Sequence, residues 1–186
     1  HNDVTVTDAD DVRINTSEGA NTFRLEDIDD VSITTAGWYN TFDIDDADDV
    51  SLTVRGQSRY QDVNIDDAFD VSLNMSNLED SRIWVEDADD VYIDGTGENT
   101  DRQGNNIVQL GWGDDSVEDA TVKLSGADNT IQIDSDVGGL EGNDITVVSG
   151  ARSKIDVDTS GGGTSDIAIT AGDDSSINVD AGFSFD

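Results

Sequence analysis

The first half of the chain repeats one acidic spelling: Asp8-Ala9-Asp10-Asp11, Asp27-Ile28-Asp29-Asp30, Asp46-Ala47-Asp48-Asp49, Asp67-Ala68-Phe69-Asp70 and Asp87-Ala88-Asp89-Asp90. Carboxylates at this density can hold a hard cation, act as an acid–base pair, or simply hydrate. The choice of acid favours the first. Of 43 acidic residues, only Glu18, Glu26, Glu79, Glu86, Glu98, Glu118 and Glu141 are glutamates. Asp keeps its oxygens close to backbone carbonyls and tolerates turn dihedrals, and Ca²⁺ takes six to eight such oxygens. If equivalent runs stack about 5 Å apart, each pair of charges repels by roughly 1 kcal/mol in water and about 3 at an effective dielectric of 20. A divalent cation relieves that repulsion, so the aspartates of these runs are the candidate ligands and several structural Ca²⁺ ions the expected cofactor. A merely solubilising acidic coat would scatter over every face and use Glu freely. Here the acid is concentrated at one phase of a repeat.

The repeat is what must position these runs. A polar-x-apolar-x-apolar pentad opens each unit, from Asn2-Asp3-Val4-Thr5-Val6, Asn21-Thr22-Phe23-Arg24-Leu25 and Asn40-Thr41-Phe42-Asp43-Ile44 to Ser175-Ser176-Ile177-Asn178-Val179. A second alternating stretch follows, as in Asp30-Val31-Ser32-Ile33, Asp49-Val50-Ser51-Leu52, Asp144-Ile145-Thr146-Val147 and Asp166-Ile167-Ala168-Ile169. Period-two alternation over four or five residues is a strand signature. Two short strands per unit bury their apolar faces only by stacking on the next unit. The expected fold is therefore all-β: a single-domain parallel β-helix over residues 1–186, with about 8–9 coils of 19–25 residues, right-handed by the crossover rule. Residues 1–94 form short regular coils with Asp-rich turns. Residues 95–186 form longer coils with insertions such as Gly95-Thr96-Gly97 and Gly161-Gly162-Gly163. In register, Asn21, Asn40, Asn106 and Asn129 form a ladder of side-chain amides.

With these repeats and acidic turns, the chain resembles the Ca²⁺-dependent parallel β-roll and β-helix repeats of secreted bacterial proteins, the repeats-in-toxin group with related adhesins and surface-layer proteins. The nonapeptide of that group appears here only in fragments, at Gly138-Gly139-Leu140-Glu141-Gly142-Asn143-Asp144-Ile145 and Gly111-Trp112-Gly113-Asp114-Asp115. The resemblance is therefore one of architecture, and no individual ligand is assigned from it.

A net charge of −34 excludes nucleic acid as the expected partner. No apolar run approaches the ~18 residues of a membrane span, so no membrane insertion is expected. The chain has no Cys and no Pro, which fits an exoprotein in which nearly every segment donates to a ladder. Catalysis has little to stand on: the single His is His1, and carboxylate pairs are too plentiful to discriminate. The outward positions of the first strand carry Asn64, Trp84 and Gln109 in successive coils, and Trp112 follows at a turn. These are the candidate ligand residues for a sugar. The expected function is a non-enzymatic, Ca²⁺-stabilised structural or adhesive module, extracellular or at the cell surface. Its open partners are glycans and like subunits stacked end to end. The competing expectation is a carbohydrate-binding or polysaccharide-degrading β-helix.

Overall fold

The computed structural model describes residues 1–97, 104–111, 117–135, 143–159 and 166–181. The chain is a parallel β-solenoid in which every strand pairs with its counterpart one coil away, making one 13-stranded sheet. In the first coils a single long strand serves two sides of the rod: β1 (Asp3–Asn15), β2 (Thr22–Ala36), β3 (Thr41–Arg55) and β4 (Asp62–Met75). Thereafter each coil divides, into β5 (Arg82–Val85) and β6 (Ala88–Gly95), then β7 (Ile107–Leu110) and β8 (Val117–Leu124). The pattern continues through β9 (Thr130–Asp134), β10 (Asp144–Ser149), β11 (Lys154–Asp158), β12 (Asp166–Ala171) and β13 (Ser176–Asp180).

Like stacks on like because one face of each strand must be dry. Phe23 pairs with Phe42 and then Val63, and Leu25 with Ile44 and then Ile65. On the second side Val31, Val50, Val71 and Val91 form one column, and all are buried. The Phe23 and Phe42 rings stack at 5.2 Å, close to the strand spacing itself.

The sequence suggested that each acidic run is a turn between two strands. In the first four coils it is instead a corner inside one continuous strand. Asp8, Asp27, Asp46 and Asp67 have φ of 55–60°, a left-handed conformation that Asp adopts more readily than most residues. One such residue redirects the chain without breaking the ladder: Glu26 pairs with Asp45 before the corner and Ile28 with Ala47 after it. These four aspartates therefore have a backbone reason to be Asp.

The inner corner that opens each pentad is held by the expected amide ladder. Asn2 Nδ2 donates to Asn21 Oδ1 at 2.8 Å, Asn21 Nδ2 to Asn40 Oδ1 at 3.0 Å and Asn40 Nδ2 to Gln61 Oε1 at 2.9 Å. The Gln61 backbone N–H donates to Ser81 Oγ and the Ser81 backbone N–H to Asn106 Oδ1, and Asn106 Nδ2 reaches Asn129 Oδ1 at 2.9 Å. From Asn21 to Asn129 these side chains are buried, and buried polar groups are tolerated because each finds a partner. Just after β10 the coils pack so closely that a Cβ on Gly150 would overlap the Gly126 carbonyl oxygen.

Candidate functional site: a carboxylate column and an aromatic side

The second side of the rod carries one aspartate per coil in strict register. Asp11 pairs with Asp30, Asp30 with Asp49, Asp49 with Asp70, Asp70 with Asp90, and Asp90 with Asp119. The Asp144 amide donates to Asp119 Oδ1 at 2.6 Å, and Asp144 pairs with Asp166. The column thus runs through both halves of the rod at the strand spacing of about 4.8 Å. Asp11, Asp30, Asp49, Asp70 and Asp90 were expected from the sequence. Asp119, Asp144 and Asp166 were missed, although Asp144-Ile145 and Asp166-Ile167 carry the same Asp-apolar opening as Asp30-Val31.

The remaining expected ligands fall into two further rows along the corner. The left-handed Asp8, Asp27, Asp46 and Asp67 make one, continued by Asp87 through the Ala68–Ala88 pairing. Asp10, Asp29, Asp48 and Asp89 make the other; all are exposed, and Phe69 takes this place in the fourth coil.

The proximity of like charges is visible in proton affinity. A shared hydrogen bond with the Asp8 carboxyl, followed by the charge of Asp8, holds Asp27 above the ordinary carboxylate value. Asp30 is raised chiefly by a hydrogen bond with Asp11, then by desolvation and the charges of Asp11 and Asp49. Asp90 is raised by burial first, then by the charges of Asp119 and Asp70. A carboxyl–carboxyl hydrogen bond needs a proton, so these pairs favour any bound positive charge. Ion pairs form elsewhere on the rod: Arg24 with Asp3, Arg59 with Glu79 and Asp80, and Arg152 with Asp128. Arg152 forms a forked contact to Asp128 at 2.7 and 2.8 Å and holds that carboxyl below its usual range.

Among the described residues no three acidic or imidazole groups converge on one point as a closed metal cage. The column is linear. Along the column lies an open depression of about 380 Å³ bordered by Asp70, Asp90, Asp119, Ser72, Tyr92 and Thr121. Lys123 Nζ lies 5.1 Å from the Tyr92 ring centre.

On the first side of the rod, the expected ligand residues Asn64, Trp84 and Gln109 share one row, Asn64 pairing with Trp84 and Trp84 with Gln109. Trp112 lies outside the described residues. Trp84 is 38% exposed, and the Arg82 guanidinium sits 5.2 Å from its ring centre. Asn64 Nδ2 donates to Asp43 Oδ1 at 3.4 Å.

At the adjoining corner Tyr39 and Tyr60 stack at 4.7 Å, both with positive φ. The Arg59 guanidinium lies 5.1 Å from the Tyr60 ring centre and 5.5 Å from that of Trp38. Arg59 Nε stands 2.9 Å from Glu79 Oε2 without the alignment of a hydrogen bond, and Nη2 reaches Asp80 at 3.4 Å. Turn aromatics commonly plug the core, but these stay outside it. Compared with known proteins, the chain matches no family model, no curated protein and no solved structure.

Proposed function

We propose that the protein is a non-enzymatic structural β-solenoid whose folding is linked to Ca²⁺, acting as a surface or adhesive module outside the cell. The observation that carries this is the aspartate column from Asp11 to Asp166, with one carboxylate per coil and raised proton affinity at Asp30 and Asp90. The column is assembled only when the chain coils, so a cation that bridges two of its carboxylates binds the folded state in preference to the unfolded one. Binding free energy then becomes folding free energy.

Open, water-completed sites of this kind belong with Ca²⁺ affinities of about 10⁻⁴–10⁻³ M, the range of extracellular modules. Where Ca²⁺ is scarcer, repulsion along the column opposes coiling. Where it is abundant, the rod closes and presents its flat sides. Equilibrium dialysis against radioactive Ca²⁺ in moderate NaCl tests this directly. Several ions per chain bound in the millimolar range, and lost when the column is changed to Asn, are expected. Absence of Ca²⁺ binding above the level of the NaCl background overturns it.

A further inference from the structure

We propose that the first side of the rod, from Arg24 to Trp84 and round the corner to Tyr60 and Tyr39, binds a neutral oligosaccharide. Two shallow depressions meet there. One, of about 440 Å³, is bordered by Arg24, Asp43, Asn64 and Trp84. The other, of about 320 Å³, is bordered by Tyr60, Asp80 and Asn105. Asp62 and Arg82 border both, so the two adjoin along one strip of surface, the trough. Each lies near the lower end of the ~300–1,000 Å³ range of ligand sites.

The contents of the trough select the ligand. Exposed rings stand along it: Trp84 at 38%, Tyr60 at 37% and, beyond the shared corner, Tyr39 at 58% and Trp38 at 44%. Flat rings with a polar edge suit the C–H face of a pyranose, which is apolar on its faces and hydroxylated around its rim. Beside Trp84, around the same depression, stand forked donors and acceptors, Arg24, Arg82, Asp43, Asp62 and Asn64, able to grip neighbouring hydroxyls in pairs. The trough lacks the deep apolar pocket that a hydrocarbon ligand needs.

Charge separates neutral from acidic sugars. The local guanidinium groups are matched by Asp43, Asp62 and Glu86 around the same depression, and the chain as a whole carries −34. A polyuronate is therefore repelled at long range and finds no surplus positive charge on arrival.

Arg82 is laid over Trp84, and Arg59 lies against Trp38 and Tyr60, contacts that restrict these side chains before a ligand arrives and lower the ordering cost of binding. Arg24 and Trp84 stand three coils apart, about 14 Å at the strand spacing. That length favours a short chain over a single sugar.

The test uses the full chain, with folding verified by circular dichroism, and a panel of cellotetraose, laminaritetraose, mannotetraose and chitotetraose, with tetragalacturonate as the acidic counterpart. Binding is read by saturation-transfer NMR and titration calorimetry. At least one neutral tetrasaccharide is expected to bind. Its affinity should fall tenfold or more in Trp84→Ala and several-fold in Tyr39→Ala, and remain unchanged in Tyr92→Ala, which alters the second side. No neutral sugar bound at millimolar concentration, binding indifferent to Trp84→Ala, or tighter binding of tetragalacturonate would each overturn the proposal.

Discussion

Asp119 stands beside Asp90 in the strand ladder and accepts the Asp144 amide on its Oδ1. That relationship joins the acidic repeats of the first half to a second half whose acid looks scattered in the sequence. A column that spans both halves makes its charge a property of the whole rod, and the consequences can be measured.

The column should be a liability without cations. Asp49→Asn and Asp90→Asn each remove one repulsive partner while keeping the side chain's shape. In chelator each should raise the melting temperature by about 2–4 °C, the shift that ~1 kcal/mol produces in a chain of this size. The same substitutions should shrink the stabilisation by Ca²⁺. Asp46→Asn keeps a residue suited to its left-handed corner and should change cation dependence less than either. Thermal melts with and without Ca²⁺ give the ranking.

Acid should stabilise the cation-free rod. Asp27, Asp30 and Asp90 bind protons more tightly folded than an ordinary carboxylate does. The native state therefore holds more protons between the ordinary and the raised values, and stability falls as pH rises through that window. In chelator, the melting temperature should climb as pH drops from 7 towards about 4. Below that, Asp128 loses its Arg152 partner as pH falls through its lowered value, and the gain should reverse. Ca²⁺ should flatten the climb, since it replaces the protons. Melts across pH at fixed ionic strength check the sign.

Cutting the amide ladder should be far more damaging than changing an exposed residue. Asn40 is fully buried, accepts from Asn21 and donates to Gln61. Asn40→Ala strands groups on both neighbouring coils, at about 1–3 kcal/mol each. Urea unfolding of Asn40→Ala should show a loss of about 2–4 kcal/mol, and Asn40→Gln a smaller one.

Gly150 should accept no side chain. Its backbone faces the Gly126 carbonyl so closely that a Cβ would overlap it, and Gly172 donates to the Gly150 carbonyl at 3.2 Å. Gly150→Ala must push the coils apart, and should lower the melting temperature by several degrees while leaving Ca²⁺ binding in the earlier coils intact. Dialysis and melting on the same variant separate the two effects.

The pentads made the solenoid legible, because Phe23, Phe42 and Val63 recur at a fixed phase and their alternation has only one dry face to offer. The amide ladder was legible for the same reason. The acidic corner was not: a single left-handed residue, Asp27 or Asp46, shifts the alternation by one place and imitates a turn, although pairing continues on both sides. The later members of the column were hidden by the longer, Gly-containing coils that carry Asp119 and Asp144 away from the early spacing. The trough was half visible. Asn64, Trp84 and Gln109 share a phase in the sequence, but that Tyr60 and Arg82 border one depression depends on how the chain bends.

The most direct measurement is thermal melting by circular dichroism in chelator, then in about 10 mM Ca²⁺, with Mg²⁺ and ionic-strength-matched NaCl as controls. At ten times a millimolar dissociation constant, each bound ion adds about 1.4 kcal/mol, or about 3–6 °C. The expected result is a rise of that size or more with Ca²⁺, smaller with Mg²⁺ and absent with NaCl. An equal rise with NaCl would contradict the linkage and leave the aspartates as a screened acidic coat.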